Sequence, residues 1–482
     1  MKKIFLSAGL LLTAISANSQ KIKNVLFILV DDMQKTCIHA YGNSQVVSPN
    51  IDYLVNNGIT FSHTYTNGAL CGALSMPSRA MIMTGRGMYE ISKDGAEIPK
   101  SQITLPELLR NNGYETFGTG KWHADKKSFN RSFEKGDNIF FGGMHPYNKN
   151  GHFSPRLHHY DSTAKYVKPF VGNKFSSEMF ADAAIDFLTN RKKNSKPFFA
   201  YVAFTSPHDP RNQHPDYGWK YNPDTLDLPV NYLPAHPFDN GELEIRDEVL
   251  LPFPRTEQAV RQELAHYYGM ISEVDVQIGR IIDTLRERKE LDNTLIIFAS
   301  DNGLSVGRHG LLGKQNLYEH SISVPMLMVI PGREKGIEKN VDCYLYDIYP
   351  TVCDLIGIEH PESVTGKSLY PVIDGSSEYH RDKLFLAYSS IQRAIVKDRW
   401  KYIIYNVNGK IVEQLFNLND DPFEMIDLAN DEKYRFKKDA YKRILKDEMK
   451  KNNDCCDLDK YYWRDSPKKI SWQEISTMYV YE

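Results

Sequence analysis

Residues 71–86 of the chain read CGALSMPSRAMIMTGR. Pro77 favours the first turn of a helix, because a residue there needs no backbone N–H donor, and Gly85 is typical of a helix end. Ser75 is therefore predicted at the N-terminus of a helix, where backbone N–H groups and the helix dipole attract negative charge. Arg79 follows one turn later on the same helix face. A hydroxyl, a helix N-terminus and a guanidinium indicate a site for an oxyanion ester, although a capped helix without a ligand is the simpler interpretation of these residues alone.

Part of this stretch has the form of a family signature. The run SMPSR at residues 75–79, followed by MTGR at residues 83–86, resembles the signature of the formylglycine-dependent, arylsulfatase-like sulfatases of the alkaline phosphatase superfamily. In that family the first Ser, or a Cys in its place, is oxidised to formylglycine (3-oxoalanine), so the resemblance implies that Ser75 is the modified residue. Because Ser stands there, the resemblance also implies a bacterial protein matured before export by a serine-type anaerobic sulfatase-maturating enzyme, which is an oxygen-independent radical enzyme.

The composition fits a globular protein and gives no sign of a polyanionic partner. The chain has 482 residues, 41% of them hydrophobic, so it can bury a sizeable core. Its 59 Lys and Arg residues and 61 Asp and Glu residues leave a net charge of −2. This balance gives no argument for binding to nucleic acid or to an anionic membrane surface.

The N-terminus is typical of a secretory signal peptide. Lys2 and Lys3 form a charged region, residues 4–17 are apolar, and residues 17–19 (ANS) fit a cleavage site after Ser19. No Cys follows the apolar region, which disfavours a lipid-modified N-terminus. A buried first strand or helix is the alternative. No other apolar run approaches membrane-spanning length, so we expect a periplasmic or secreted protein without a membrane span after cleavage.

Two predicted strands are followed by acidic or amide side chains. Residues 23–30 (KNVLFILV) and 293–299 (NTLIIFA) are nearly continuous apolar runs, typical of central strands in a parallel sheet. The first run is followed by Asp31 and Asp32, and the second by Ser300, Asp301 and Asn302. Ligands of α/β sheets bind at the carboxyl ends of strands, and adjacent carboxylates repel one another unless a cation lies between them. Taken alone, both segments are also consistent with ordinary turns.

The oxygen donors of these two segments suit a hard divalent cation, and no Cys is among them. The resemblance implies that Asp31, Asp32, Asp301 and Asn302, together with Ser75, hold one Ca²⁺ ion.

Basic and imidazole side chains follow two further predicted strands. GTGKWH at residues 118–123 ends a short strand, so Lys121 and His123 can face one pocket. A cation that holds a sulfuryl oxygen and an imidazole that moves a proton are what ester cleavage needs. His208 follows the buried strand predicted at residues 197–204. A glycine loop and a common turn are the alternatives at these two places.

The resemblance assigns these side chains to catalysis: Arg79, Lys121, His123, His208 and, as the second sulfate-binding lysine, Lys314. Four neighbours of these motifs are expected to reach the substrate, with ordinary loop roles as the alternative: Arg211, Arg308, His309 and Gln315.

The resemblance implies two domains. Residues 20–375 are expected to form the catalytic domain, an α/β sandwich of the alkaline-phosphatase type around a mixed, mostly parallel sheet. After Gly375 the pattern changes to short strands joined by turns, so residues 376–482 are expected to form a smaller α+β domain with an antiparallel sheet. Residues 126–174 show no regular pattern and are expected to be a surface excursion that shapes the substrate pocket.

The implied function is hydrolysis of sulfate esters on a host or dietary glycan. In the implied mechanism Ser75 becomes an aldehyde and then a geminal diol, and one hydroxyl attacks sulfur. His208 protonates the departing sugar oxygen, and His123 acts as the base when sulfate is expelled. Two alternatives stay open: a phosphate or phosphonate ester hydrolase of the same superfamily with unmodified Ser75, and a glycan-binding protein that kept the fold without catalysis.

Overall fold

A computed structural model describes residues 22–192, 195–212, 214–218, 220–460 and 463. The predicted signal peptide, residues 1–19, lies outside these described residues. Within them, no helix is both long enough and apolar enough to cross a membrane.

The strands of the described residues are as follows, in chain order: β1 Asn24–Val30, β2 Ile59–Tyr65, β3 Gly68–Ala69, β4 Glu115–Lys121, β5 Lys135–Phe140, β6 Arg156–Leu157, β7 Phe170–Val171, β8 Phe198–Ala203, β9 Thr294–Ser300, β10 Met326–Val329, β11 Ile337–Tyr344, β12 Leu384–Tyr388, β13 Gln392–Lys397, β14 Trp400–Val407 and β15 Lys410–Asn417.

The α-helices are as follows, in the same order: α1 Pro49–Asn57, α2 Ser75–Thr84, α3 Leu105–Asn111, α4 Lys126–Ser132, α5 Ser176–Asn190, α6 Pro215–Gly218, α7 Arg246–Val249, α8 Glu257–Glu287, α9 Glu319–Ile322, α10 Ile348–Ile356, α11 Tyr370–Ile373 and α12 Arg435–Lys451.

The large sheet is mixed and mostly parallel, as predicted. Its strand order is β11-β2-β10-β9-β1-β8-β4-β5. The strands β9, β1, β8, β4 and β5 all run parallel to one another, whereas β10 is antiparallel to both β9 and β2. The carboxyl ends of four adjacent strands, β9, β1, β8 and β4, therefore meet at one edge of the sheet.

The two faces of this sheet carry separate hydrophobic cores, because alternate side chains of each strand point to opposite faces. Leu26 and Ile28 of β1 pack with apolar residues of α1, α5 and α8. Val25 and Phe27 of the same strand pack with residues of α2, α3 and α10. This is the layered α/β architecture that the sequence predicted, with helices covering both faces.

The second sheet has the order β15-β14-β13-β12-β3. Its four long strands are antiparallel, and α12 packs against it through Tyr441, Leu445 and Met449. The predicted C-terminal antiparallel sheet is confirmed. Its fifth strand, β3, comes from the N-terminal part of the chain and pairs in parallel with β12. The domain boundary after residue 375 stays a prediction.

The structure corrects one sequence expectation. Residues 126–174 are not wholly an irregular excursion, because α4 and β5 lie within them and β5 forms the edge of the large sheet. The sequence of β5, KGDNIF, is polar over its first residues and half-exposed there, which is typical of an edge strand and hides the strand pattern.

Candidate active site

The sheet brings the predicted site residues together at one edge. Asp31 and Asp32 directly follow β1, and Asp301 and Asn302 directly follow β9. The segment after β8 carries His208, whereas Lys121 is the last residue of β4. Since these strands are parallel neighbours, their carboxyl ends deliver all of these side chains to the same place.

Ser75 lies at the start of α2, as the sequence predicted, and is almost fully buried. Its hydroxyl Oγ lies 3.1 Å from Asp31 Oδ1, to which it donates a hydrogen bond. The same oxygen accepts hydrogen bonds from Lys314 Nζ at 3.0 Å and from Asn302 Nδ2 at 3.4 Å. The Ser75 hydroxyl is therefore the common neighbour of a carboxylate, an ammonium group and an amide.

Three buried cations alternate with the buried carboxylates around Ser75. Lys121 Nζ lies 2.5 Å from Asp31 Oδ2, and Lys314 Nζ lies 2.5 Å from Asp32 Oδ1. Arg79 donates from Nε to Asp301 Oδ2 at 2.8 Å, and its NH1 donates to the backbone oxygen of Lys121. The charges are thus paired in a site that excludes bulk water, where charge pairs are far stronger than on a surface.

The two adjacent carboxyl groups differ electrostatically. Although burial alone would raise it, Lys121 and Arg79 hold the pKa of Asp31 well below its usual range. Burial raises the pKa of Asp32 to about 8, with Asp31 and Asp301 adding to the effect and Lys314 opposing it. This divergence is the result of crowding several carboxylates in one buried place.

The oxygen atoms of this group fit a hard divalent cation. Asn302 Oδ1 is buried and has no hydrogen-bond partner among the described residues. Ligand atoms of Asp31 and Asp32 lie, together with one of His208, within 4.8 Å of one another. Asp301 Oδ2 accepts from Arg79, but each carboxylate oxygen keeps a second lone pair for a metal. The predicted residues thus lie in one buried group with one amide oxygen left unpartnered, and oxygen donors are the ligands that hard divalent cations prefer.

His123 follows β4 and is buried, with both ring nitrogens lacking a hydrogen-bond partner within the described residues. Burial, together with the charges of Lys121 and Arg79, holds its pKa well below the ordinary value of a histidine. The backbone of His123 has φ 60°, and that of Asp32 has φ 67°. These are left-handed conformations that residues other than glycine rarely adopt. Such strain is concentrated at functional sites, and no sequence pattern indicated it.

His208 approaches the carboxylates from the segment after β8. Its Nε2 is 3.6 Å from Asp32 Oδ2, and its Nδ1 donates to the backbone oxygen of Asp209 at 2.8 Å. Burial lowers the pKa of His208 to about 4, although the charge of Asp209 opposes this shift. The ring therefore has one nitrogen held by protein and the other directed to the site.

Of the four predicted substrate contacts, two lie near this group. Gln315 Nε2 donates to Asp247 Oδ2 at 2.7 Å, and its Oε1 accepts from the backbone N–H of Lys314 at 2.9 Å. Arg211 is buried two residues after Asp209 and pairs with Glu263 on α8 at 2.6 Å. Gln315 is thus already engaged, whereas Arg211 keeps a buried Nε that has no hydrogen-bond partner among the described residues. The contact of both side chains with substrate stays a prediction.

The other two have partners outside the Ser75 group. Arg308 NH1 donates to the backbone oxygen of Ser305 at 3.3 Å. His309 Nε2 donates to the backbone oxygen of Phe423 at 3.1 Å, and its ring stacks on Tyr318 with centroids 4.1 Å apart. These contacts favour the ordinary loop roles that the sequence left open for Arg308 and His309.

Several residues that contact the site residues were not predicted from the sequence. Ser78 Oγ donates to the backbone oxygen of Asp301 at 2.8 Å, and His152 Nε2 donates to that of His208 at 3.0 Å. Asp209 pairs with Arg246 on α7. Asp209 stands next to His208 in the sequence, so its acidic side chain was a usable signal. Nothing in the sequence indicated the position of Arg246 or His152.

Comparison with known proteins agrees with this geometry. Residues 23–358 match the family model for Sulfatase, and residues 307–453 match the model for N-sulphoglucosamine sulphohydrolase, C-terminal. An arylsulfatase of Clostridium perfringens (strain 13 / Type A) is 29% identical over 463 residues, which cover 88% of this chain and 94% of the relative. An N-acetylglucosamine-6-O-sulfatase of Bacteroides thetaiotaomicron is 25% identical over 526 residues, which cover 94% of this chain and 91% of the relative.

A solved structure shares the fold. It is that of a protein in complex with its substrate D-glucosamine-2-N,6-O-disulfate, and it superposes with a TM-score of 0.73 at 24% identity, covering 92% of this chain and 100% of that one. Because the Sulfatase model spans well over half of the chain and the relatives align over most of their length, the chain belongs to the sulfatase family and is a sulfuric ester hydrolase.

Proposed function

We propose that the chain hydrolyses sulfate esters of carbohydrates with a formylglycine formed from Ser75 and one bound Ca²⁺ ion. The observation that carries this proposal is the position of the Ser75 hydroxyl, which lies at the start of α2 within hydrogen-bond distance of Asp31, Asn302 and Lys314. A reactive oxygen needs such an environment, whereas a serine that only begins a helix does not.

Two groups complete the site chemically. When formed and hydrated, the aldehyde would supply a hydroxyl nucleophile, and Ca²⁺ held by Asp31, Asp32, Asp301 and Asn302 would supply positive charge beside the sulfate oxygens.

The chain's own cations bind the sulfuryl group in this proposal. Each lysine ammonium has three protons to donate. Lys121 uses one of them on Asp31, and Lys314 uses two on Asp32 and Ser75, so protons are left for sulfate oxygens. Arg79 NH2 is buried and has no hydrogen-bond partner within the described residues. These donors are fixed before the substrate arrives, which is how a preorganised site stabilises developing charge.

The two imidazoles handle the protons. The overall reaction adds one water molecule: the S–O bond to the alcohol breaks, the alcohol oxygen takes a proton, and sulfate leaves. His208 Nε2 gives the proton to the departing oxygen. The bound sulfate ester brings negative charge next to this ring, which favours its protonated form. His123, neutral because of its lowered pKa, takes a proton on a free ring nitrogen.

The charge of the site agrees with this assignment. Three carboxylates, those of Asp31, Asp32 and Asp301, face three cations, those of Arg79, Lys121 and Lys314. A bound cation favours the ionised form of all three carboxyl groups, including Asp32, whose pKa is otherwise raised to about 8. Their three charges then balance those of the three cations, so the divalent cation gives the pocket a net positive charge that stabilises a sulfuryl group gathering negative charge in its transition state.

The carbohydrate substrate is supported by two comparisons. One relative, aligned over most of this chain, is an N-acetylglucosamine-6-O-sulfatase, and one structural neighbour was solved with a disulfated glucosamine. We further propose that a serine-type anaerobic sulfatase-maturating enzyme converts Ser75, and that the mature protein is periplasmic or secreted.

The proposal is tested by assaying release of inorganic sulfate after co-expression with a serine-type maturase. The substrates are regiodefined monosulfated galactose, N-acetylgalactosamine, N-acetylglucosamine and hexuronate, and Ser75→Ala is the control variant. We expect at least one sugar to lose sulfate, and the variant to lose about 10³-fold or more of that rate. A phosphate ester and a phosphonate ester are assayed alongside. Hydrolysis of either without release of sulfate, or binding of the sulfated sugars without any release, would favour one of the two alternatives instead.

A further inference from the structure

Asp209 connects His208 to two donors on other segments. The Nδ1 atom of His208 lies 3.3 Å from Asp209 Oδ1, in addition to its hydrogen bond to the Asp209 backbone oxygen. The other carboxylate oxygen, Oδ2, accepts from the Tyr147 hydroxyl at 2.8 Å and from both terminal nitrogens of Arg246. One carboxylate oxygen therefore faces the imidazole, and the opposite oxygen is held by Tyr147 and Arg246.

Arg246 is itself held by a second carboxylate, that of Asp247. Its Nε donates to Asp247 Oδ1 at 2.9 Å, and Asp247 Oδ2 accepts from Gln315 Nε2 at 2.7 Å. Gln315 in turn accepts from the backbone N–H of Lys314. A continuous set of polar contacts thus runs from the His208 ring to the Lys314 backbone, through the short helix α7.

We propose that Arg246, acting through Asp209, is a positioning residue for His208. The inference rests on the proposed function, in which the free nitrogen of His208 protonates the departing oxygen. An imidazole has two nitrogens, and only a fixed ring presents Nε2 to the leaving group in every turnover. Asp209 contacts Nδ1, the ring nitrogen that does not face the leaving group. A carboxylate orients the histidine of a catalytic triad in the same way.

The surroundings of Arg246 distinguish this role from general stabilisation. The pair Arg381–Asp347 has closely similar burial, with side chains 11% and 0% exposed compared with 12% and 5% for Arg246 and Asp209. Asp347 accepts from the backbone N–H groups of Tyr344 and Lys367, so that pair secures chain segments. Asp209 faces a ring that reaches the reaction site. Arg381→Gln is therefore a matched control with the same chemistry and burial but no contact with His208.

The test is the dependence of kcat/KM on the leaving group, measured on the mature full-length enzyme with aryl sulfates from para-nitrophenyl sulfate to phenyl sulfate. A good leaving group departs without a proton, whereas a poor one needs His208. Since general acid catalysis is worth about 10²–10⁴-fold, we expect Arg246→Gln to lower kcat/KM about tenfold or more for phenyl sulfate and less than about threefold for para-nitrophenyl sulfate. Arg246→Lys, which keeps the charge, should recover part of the loss.

A milder variant covers the case in which Arg246→Gln does not fold. Tyr147→Phe removes one donor to Asp209 without leaving an unpaired charge, and it should show the same leaving-group dependence with a loss of about two- to fivefold. Arg381→Gln should lower the melting temperature but change kcat/KM for phenyl sulfate and para-nitrophenyl sulfate by the same factor.

Two outcomes would overturn the inference. Equal losses on all leaving groups in Arg246→Gln would indicate a structural role, and unchanged kinetics would indicate none. His208→Ala separates this failure from that of the proposed function. If His208→Ala shows the dependence on the leaving group and the Arg246 and Tyr147 variants do not, only the positioning role is wrong. If His208→Ala lacks it as well, the role proposed for His208 is wrong and the inference falls with it.

Discussion

Asn302 holds a buried amide oxygen, Oδ1, that has no hydrogen-bond partner among the residues the structure describes. Leaving a buried acceptor unpaired costs about 1–3 kcal/mol. The nitrogen of the same amide donates to Ser75 Oγ, which fixes the orientation of the group. The unpaired oxygen therefore belongs, in our proposal, to a cation that also contacts Asp31 and Asp32.

We predict that chelation of the metal and loss of the Asn302 side chain both lower activity through the occupancy of the Ca²⁺ site. Thorough chelation should lower sulfate release strongly, and added Ca²⁺ should restore it. Asn302→Ala should raise the Ca²⁺ concentration needed for half-maximal activity by about tenfold or more, because loss of even a supporting group at a metal site costs that much. The rise in melting temperature on adding Ca²⁺ should shift in parallel. Full activity after exhaustive chelation would exclude the metal from the reaction.

For single residues, the sequence predicted well which side chains follow the buried strands. Asp31 contacts Ser75, and Asp301 contacts Arg79 of the same helix, at the strand ends where the sequence placed these acids. Their role as metal ligands stays a prediction. Arg308 and His309 were grouped with the site only because they stand near Lys314 in the chain. The pair Asp209–Arg246 joins residues 37 positions apart, and no local pattern relates two such residues.

The irregular end of β4 determines where Lys121 and His123 lie. The pairing of β4 with β5 shifts register between Gly118 and Gly120. Gly120 has φ 80°, and a Cβ atom there would lie 1.9 Å from the backbone oxygen of Ala203 on β8. This close approach requires glycine, and it turns the chain so that the residues after Gly120 enter the site.

We predict that Gly120→Ala lowers the free energy of unfolding by about 3 kcal/mol or more, because strain and a backbone clash add, and that it also reduces sulfate release. Gly113→Ala is the matched control. Gly113 has φ 87°, but a Cβ atom added there would meet no other atom within 4 Å, so this change should cost only about 1–2 kcal/mol and leave activity unchanged. Urea unfolding and sulfate release test both variants. Equal effects at the two glycines would contradict the role of the close approach.

The sequence predicted those helices and strands that have one or both faces apolar. The strands β1, β8 and β9 were found because they are continuously buried. The strands β5 and β11 were missed, since they form the two edges of the large sheet and carry polar residues there. The short strand β3 has two residues and no periodicity to detect; it becomes a strand only through tertiary pairing with β12.

On the scale of the whole molecule, the two sheets are joined by buried ion pairs as well as by β3. Asp347, which directly precedes α10, binds Arg381, which precedes β12 of the second sheet. His380 contacts the same carboxylate at 3.0 Å. Although burial alone would raise it, Arg381 and His380 hold the pKa of Asp347 well below its usual range.

This pair predicts a pH-dependent contribution to stability. A carboxyl whose pKa is depressed on folding stabilises the protein above its unfolded pKa of about 4, and the contribution is lost as the pH falls through the folded pKa. Arg381→Gln should therefore be less stable than the natural chain by about 3–5 kcal/mol at neutral pH, and the difference should narrow as the pH falls below about 4.

The measurement is the urea midpoint of both proteins across this pH range. Arg280→Gln, which breaks the half-exposed pair with Asp182, is the control and should change stability little at any pH. A difference between Arg381→Gln and the natural chain that stays constant from neutral to acid pH would contradict the linkage.

The proposed chemistry depends most on the chemical state of residue 75. Its direct measurement is the mass of the peptide containing Ser75 from protein matured by a serine-type maturase, taken on the same sample as the rate of sulfate release. We predict a loss of two hydrogens at Ser75, with activity proportional to the converted fraction. Full sulfatase activity in a sample whose Ser75 is entirely unmodified would contradict this chemistry.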